Sequence, residues 1–90
     1  MQYKDFTIII FTSNNIQKCN KRYAGFNCSI YSKYDKKCTT PLDCFDIAID
    51  YDIKGKNYNE IVLFVHSYIN NNYDELIELE NSYFYNDTLS

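Results

Sequence analysis

The sequence predicts a small α+β domain in which an N-terminal antiparallel β-hairpin or sheet packs against two or three C-terminal helices. Three observations lead there. The first third is rich in β-branched and aromatic residues, the stretch from Asn59 to Ile69 has helical periodicity, and another helical pattern follows a run of three Asn. Ninety residues make one domain, near the lower limit for a single hydrophobic core. Ten Tyr and six Phe against two Gly and one Pro describe a chain rich in regular structure and poor in linker.

Tyr3 to Thr12, YKDFTIIIFT, reads as the first strand, bounded by Ser13-Asn14-Asn15. Its continuous run Ile8-Ile9-Ile10-Phe11 suggests a central strand covered on both faces. Ser13 to Lys21 is polar and reads as a long connection in which Ile16 anchors a turn of helix. From Arg22 to Lys33 the chain alternates. Ala24, Phe26, Cys28 and Ile30 form the expected core set, against Tyr23, Gly25, Asn27, Ser29 and Tyr31 on a solvated or partner-facing surface. The two strands are expected to pair antiparallel, and Lys33 to Thr40 to form a charged loop.

Residues 42–53 fit two templates. As a helix, Thr40 is the N-cap, Pro41 takes N1 and Gly55 supplies the left-handed stop. Leu42, Phe45, Ala48, Ile49 and Ile53 then share one face, and Asp43, Asp46 and Asp50 another. As a strand, Phe45, Ile47, Ile49, Tyr51 and Ile53 alternate with Asp46, Ala48, Asp50 and Asp52. The helix is preferred because start and stop signals fall at both of its ends.

Asn59 to Ile69, NEIVLFVHSYI, is the most apolar run and the expected centre of the fold. With Asn59 as N-cap and Glu60 near the positive end of the dipole, Ile61, Val62, Phe64, Val65, Tyr68 and Ile69 form a wide apolar stripe. Burying those six would contribute about 1.5 to 3 kcal/mol each before ordering entropy is subtracted. His66, the only histidine, falls off the stripe and reads as a boundary residue. A last helix is expected from Tyr73 to about Phe84, capped by Asn72 and burying Leu76, Ile77, Leu79, Tyr83 and Phe84, with Asn86 to Ser90 frayed.

The net charge of −3 conceals an asymmetry. Residues 1–40 carry Lys4, Lys18, Lys21, Arg22, Lys33, Lys36 and Lys37 against Asp5 and Asp35, a balance of +5, whereas residues 41–90 carry ten acids against Lys54 and Lys56, a balance of −8. Lys outnumbers Arg eight to one and Asn and Ile abound, which is the residue usage of an A/T-rich genome. The six-residue apolar run from Phe6 to Phe11 is short for a signal-peptide core and far short of a span, so a cytoplasmic chain with no membrane partner is expected.

No sequence feature carries catalysis. One His and two Gly leave little with which to build an active site, and no P-loop, dinucleotide-binding turn or HExxH pair is present. Neither an enzyme nor a cofactor is expected. Cys19, Cys28, Cys38 and Cys44 lack the two-to-four-residue spacing of zinc knuckles, so a zinc-stabilised domain is a minor alternative. A disulfide framework would need an oxidising compartment. Cys28 reads instead as a core residue, Cys44 as helix packing, and Cys19 and Cys38 as loop thiols.

Two binding readings remain. Asp43, Asp46, Asp50, Asp74, Glu75 and Glu78, with Glu80 in the same run, are the candidate partner-binding residues. Set on helices beside exposed Tyr, they would present negative charge to a basic or nucleic-acid-binding protein. The alternative uses the basic, aromatic first half, Lys21-Arg22-Tyr23 and Tyr31 to Lys37, on nucleic acid directly. In size, acidity and want of a chemical signature the chain resembles the small phage inhibitors of bacterial defence, anti-CRISPR proteins among them. That likeness is one of general character and assigns no residue. It implies a non-catalytic inhibitor from a mobile element of a low-GC host that occludes a partner's surface. The sequence sets no oligomeric state.

Overall fold

The computed structural model describes residues 1–85, so the expected fraying of Asn86 to Ser90 lies outside the described residues. Four antiparallel strands, β1 (Gln2–Tyr3), β2 (Phe6–Lys18), β3 (Lys21–Tyr31) and β4 (Asp43–Ala48), follow in sequence order across one sheet. Two helices, α1 (Tyr58–Asn71) and α2 (Tyr73–Glu80), come next, and a π-helical turn, Asn81–Tyr85, ends the described chain. The domain is thus α+β, with two C-terminal helices.

Both tight hairpins are closed by residues in the left-handed region. Lys4 and Asp5 have φ of 49° and 69° between β1 and β2, and Cys19 and Asn20 have φ of 49° and 65° between β2 and β3. Positive φ at both central positions matches the right-handed twist of the flanking strands. The expected polar connection from Ser13 to Lys21 is therefore a continuation of the strand pair. A register shift between Ser13 and Ile16 absorbs one residue, and Ile16, fully buried, pairs with Tyr23 in place of anchoring a helix.

Residues 43–48 form a strand, which corrects the helix preferred for 42–53. Its register on β3, Phe26↔Ile47, Cys28↔Phe45 and Ile30↔Asp43, continues an existing ladder. Each supposed helix signal has another use. The Thr40 amide donates to the Asp35 carboxylate, the Leu42 amide donates to the Ile30 carbonyl, and Gly55, at φ 67°, turns the chain toward α1.

One face of the sheet carries the core. Phe6, Ile8, Cys28, Ile30 and Ile47 meet Ile61, Val65 and Ile69 of α1 and Leu76 of α2, with Ile10, Phe26 and Phe45 packed around them. The expected stripe of α1 is present, with Ile61, Val65 and Ile69 buried and Val62, Phe64 and Tyr68 half-buried. Its cap is Asn57, not Asn59, because the Asn57 side chain accepts from the Asn59 amide. Aromatic contacts seat the helix: Tyr68 stacks on Phe45 at 3.9 Å between centroids and His66 on Tyr3 at 3.8 Å.

Other expectations are corrected by local chemistry. Asn72 gives α2 no side-chain cap, and its amide nitrogen donates to the Tyr68 carbonyl at the end of α1. Tyr83 is exposed, because the chain widens into the π-helical turn where a regular last helix was expected. Ala24 is exposed as well, lying where the β2–β3 ladder shifts register. Nor is β2 covered on both faces: Ile9 is half-buried and Phe11 is 62% exposed on the side away from the helices.

Asp35 organises the loop between β3 and β4. Its carboxylate accepts from the amides of Thr39 and Thr40 at 3.0 and 2.8 Å and from the Thr39 hydroxyl at 3.2 Å. The Thr40 amide foremost holds its pKa below the ordinary carboxylate value of 3.8, against the opposing effect of burial. A depressed folded pKa contributes stability that is present above the unfolded value and lost as pH falls through the folded one. Wild type and Asp35→Asn are therefore expected to differ most near neutrality and to converge below about pH 4, as read by urea denaturation across pH.

Candidate functional site

The six acids chosen from the sequence do not form one surface. Asp43 and Asp46 lie three residues apart on a strand, so they point to opposite faces of the sheet. Asp43 turns inward and accepts from the Tyr68 hydroxyl at 2.6 Å. Burial first, then this bond and the charge of Asp43, raise the Tyr68 phenol well above its ordinary value. Asp46 lies on the uncovered face and accepts from the Asn27 side chain. Asp50, at φ 67°, is exposed in the turn after β4. The helix reading had gathered these three on one face, and the strand period separates them.

The turn containing Asp50 grips the far end of the β2–β3 hairpin. Lys18 pairs with Asp52 at 3.4 Å, and the Asp52 carboxylate also accepts from the Ala48 amide at 2.8 Å. Tyr51 packs on Tyr23 at 5.5 Å between centroids and shares a 2.9 Å hydrogen bond with the Cys19 thiol, the main cause of its raised phenol pKa. Of the acids in this turn, Asp52 is thus used structurally.

Three of the chosen acids do share a surface. Asp74, Glu75 and Glu78 are exposed on α2, and Glu75 and Glu78 line, with Leu79 and Ser82, an open concavity of about 440 Å³. Helical spacing of three and four places Glu75, Glu78, Leu79 and Ser82 on one side of the helix axis. Among the described residues the ion pair is Lys18–Asp52, so Asp74, Glu75 and Glu78 of α2 form no salt bridge there. Exposed Tyr83 lies just beyond. Glu80 faces the other way: it is buried, and the buried Ser32 hydroxyl donates to it at 2.6 Å, pinning the end of α2 to the end of β3.

A second hollow, of about 460 Å³, lies at the β1 end of the sheet. Gln2, Asp5, Thr7, Lys33, Asp35, Lys36 and Cys38 line it. Its lysines come from the basic segment noted in the sequence, but two carboxylates line it as well.

The four cysteines are free thiols. Cys28 is buried, and burial, aided by the charge of Asp46, pushes its thiol up to about 12, so it remains protonated and unreactive near neutral pH. Cys44 is an exposed residue of β4, not a helix-packing one, and Cys19 sits in a hairpin turn. Among the described residues no three His, Cys, Asp or Glu side chains gather as metal ligands, and no helix is long and apolar enough to cross a membrane.

No protein-family model, curated protein or solved structure matches this chain. The alternation along β3 marked Asn27, Ser29 and Tyr31 as a solvated or partner-facing side, and that side carries no helix; what the sequence did not show is that β2 is uncovered there too, with Phe11 at its surface.

Proposed function

We propose that this protein is a non-catalytic protein-binding module whose contact surface is the acidic side of α2. The observation that carries the reading is the concavity bounded by Glu75, Glu78 and Leu79, with an apolar side chain among carboxylates that form no salt bridge among the described residues. Such a surface suits a basic protein, including one that itself binds nucleic acid, because complementary charge steers encounter while Leu79 and Tyr83 supply apolar contact. The sheet and α1 hold α2 through Leu76 and Glu80, so the surface is presented without being ordered on binding. Binding there would act by occlusion, in the manner of a small inhibitor from a phage or other mobile element, of the anti-CRISPR or wider anti-defence kind.

A stoichiometric partner captured from host lysate should be lost on Glu75→Lys with Glu78→Lys and retained on Lys36→Glu with Lys37→Glu. Its affinity should fall on raising salt from about 50 to 500 mM, since screening shortens the reach of charge. A partner that binds the first double variant unchanged sinks the proposal.

A second reading, direct binding of single-stranded nucleic acid, draws on Lys33 and Lys36 at the edge of the uncovered sheet face, with Tyr31 and Phe11 on that face. Asp5, Asp35 and Asp46 oppose it electrostatically. Gel retardation at micromolar protein, lost on Lys36→Glu with Lys37→Glu, would favour this reading over the first.

A further inference from the structure

The outer edge of β2 is open along most of its length. β1 pairs only with Phe6 and Thr7. One residue further on, the Ile8 amide donates to the Met1 carbonyl at 2.7 Å and the Met1 ammonium donates to the Ile8 carbonyl at 3.1 Å. The backbone groups of Ile8 therefore point away from β3. By the alternation of an antiparallel ladder, those of Ile10 and Thr12 do so too, and among the described residues no strand lies beyond them. At Ser13 the ladder shifts register, which ends the regular edge.

This edge lacks the usual protection. No Lys, Arg, Asp, Glu or Pro occurs from Phe6 to Gln17, whereas exposed edges are commonly blunted by charge or proline. The side chain between the two free residues is Phe11, 62% exposed on the uncovered face.

We infer that this edge pairs with its own copy in a second chain, antiparallel about a two-fold axis at Phe11. The register follows from the alternation. Ile10 of one chain lies opposite Thr12 of the other, each exchanging an amide and a carbonyl, and the same pair recurs across the axis. Phe11 then faces its symmetry mate at a non-hydrogen-bonded position, where side chains approach most closely and an aromatic pair contributes most. No charge meets a like charge within the paired segment, although each chain carries −3 overall. Met1 beside Ile8 stops the pairing on one side and the irregularity after Ser13 on the other, so the contact is short and the dimer dissociable. The two sheets join into one, with the helices of both copies on the same side.

Sedimentation equilibrium of the full chain, with a reductant present to keep Cys19 and Cys44 from cross-linking, tests this directly. The mass should move from one chain to two as concentration rises from about 10 μM to 1 mM, a range suited to a weak interface. Phe11→Asp, an exposed substitution that leaves the core alone, and Thr12→Pro, which deletes one outward amide, should each weaken dimerisation at least about tenfold. Circular dichroism should show both variants folded. A one-chain mass at every concentration overturns the inference, and so does a dimer that neither variant weakens.

Discussion

Replacing Gly25 by alanine is expected to cost about 3 kcal/mol or more, read as a fall in the urea midpoint with little change in slope. Gly25 sits opposite Ala48 where β3 and β4 pass closely. A β-carbon there would overlap the Ile47 carbonyl oxygen and lie 3.0 Å from its carbon and 3.1 Å from the Ala48 α-carbon. All three are backbone atoms, so no side chain can swing aside to relieve the clash. The strands must separate, which weakens the ladder that makes residues 43–48 a strand. A loss under about 0.5 kcal/mol, the size of an ordinary surface substitution, would contradict this packing.

Ile69→Ala should cost about 2 to 5 kcal/mol, because Ile69 is fully buried in the core cluster and its removal leaves a cavity. Leu63→Ala on the same helix is the matched control. Leu63 is 63% exposed, so its truncation should change stability by no more than about 0.5 kcal/mol. The contrast isolates burial from helix propensity, which favours alanine over both residues.

The structure and the sequence agree where one period dominates. The stripe of α1 was legible because Ile61, Val65 and Ile69 recur every four residues and no alternating template competes. Residues 42–53 were not, since their letters satisfy both periods. A neighbouring edge decided between them: β3 offers β4 a row of backbone partners that an isolated segment does not reveal. The extension of β2 was hidden for another reason. Ser13, Asn14 and Asn15 resemble a turn, yet the chain runs through them with a register shift and turns at Cys19-Asn20, a pair without the glycine that marks most such hairpins.

That one misreading also governed the candidate site. Asp43, Asp46 and Asp50 were grouped by helical spacing, and in a strand they scatter to the core, the open face and a turn. Asp74, Glu75 and Glu78 stayed together because α2 is a helix in both readings. Glu80 was beyond reach of the sequence, since its burial depends on Ser32, 48 residues earlier.

Hydrogen exchange of the free protein against its captured complex locates the contact surface. Protection gained on binding should concentrate in residues 74–84, over α2 and the turn after it, and be lost with Glu75→Lys and Glu78→Lys. Protection confined to the uncovered sheet face, residues 7–11, 27–31 and 44–46, with α2 unchanged, would contradict that location.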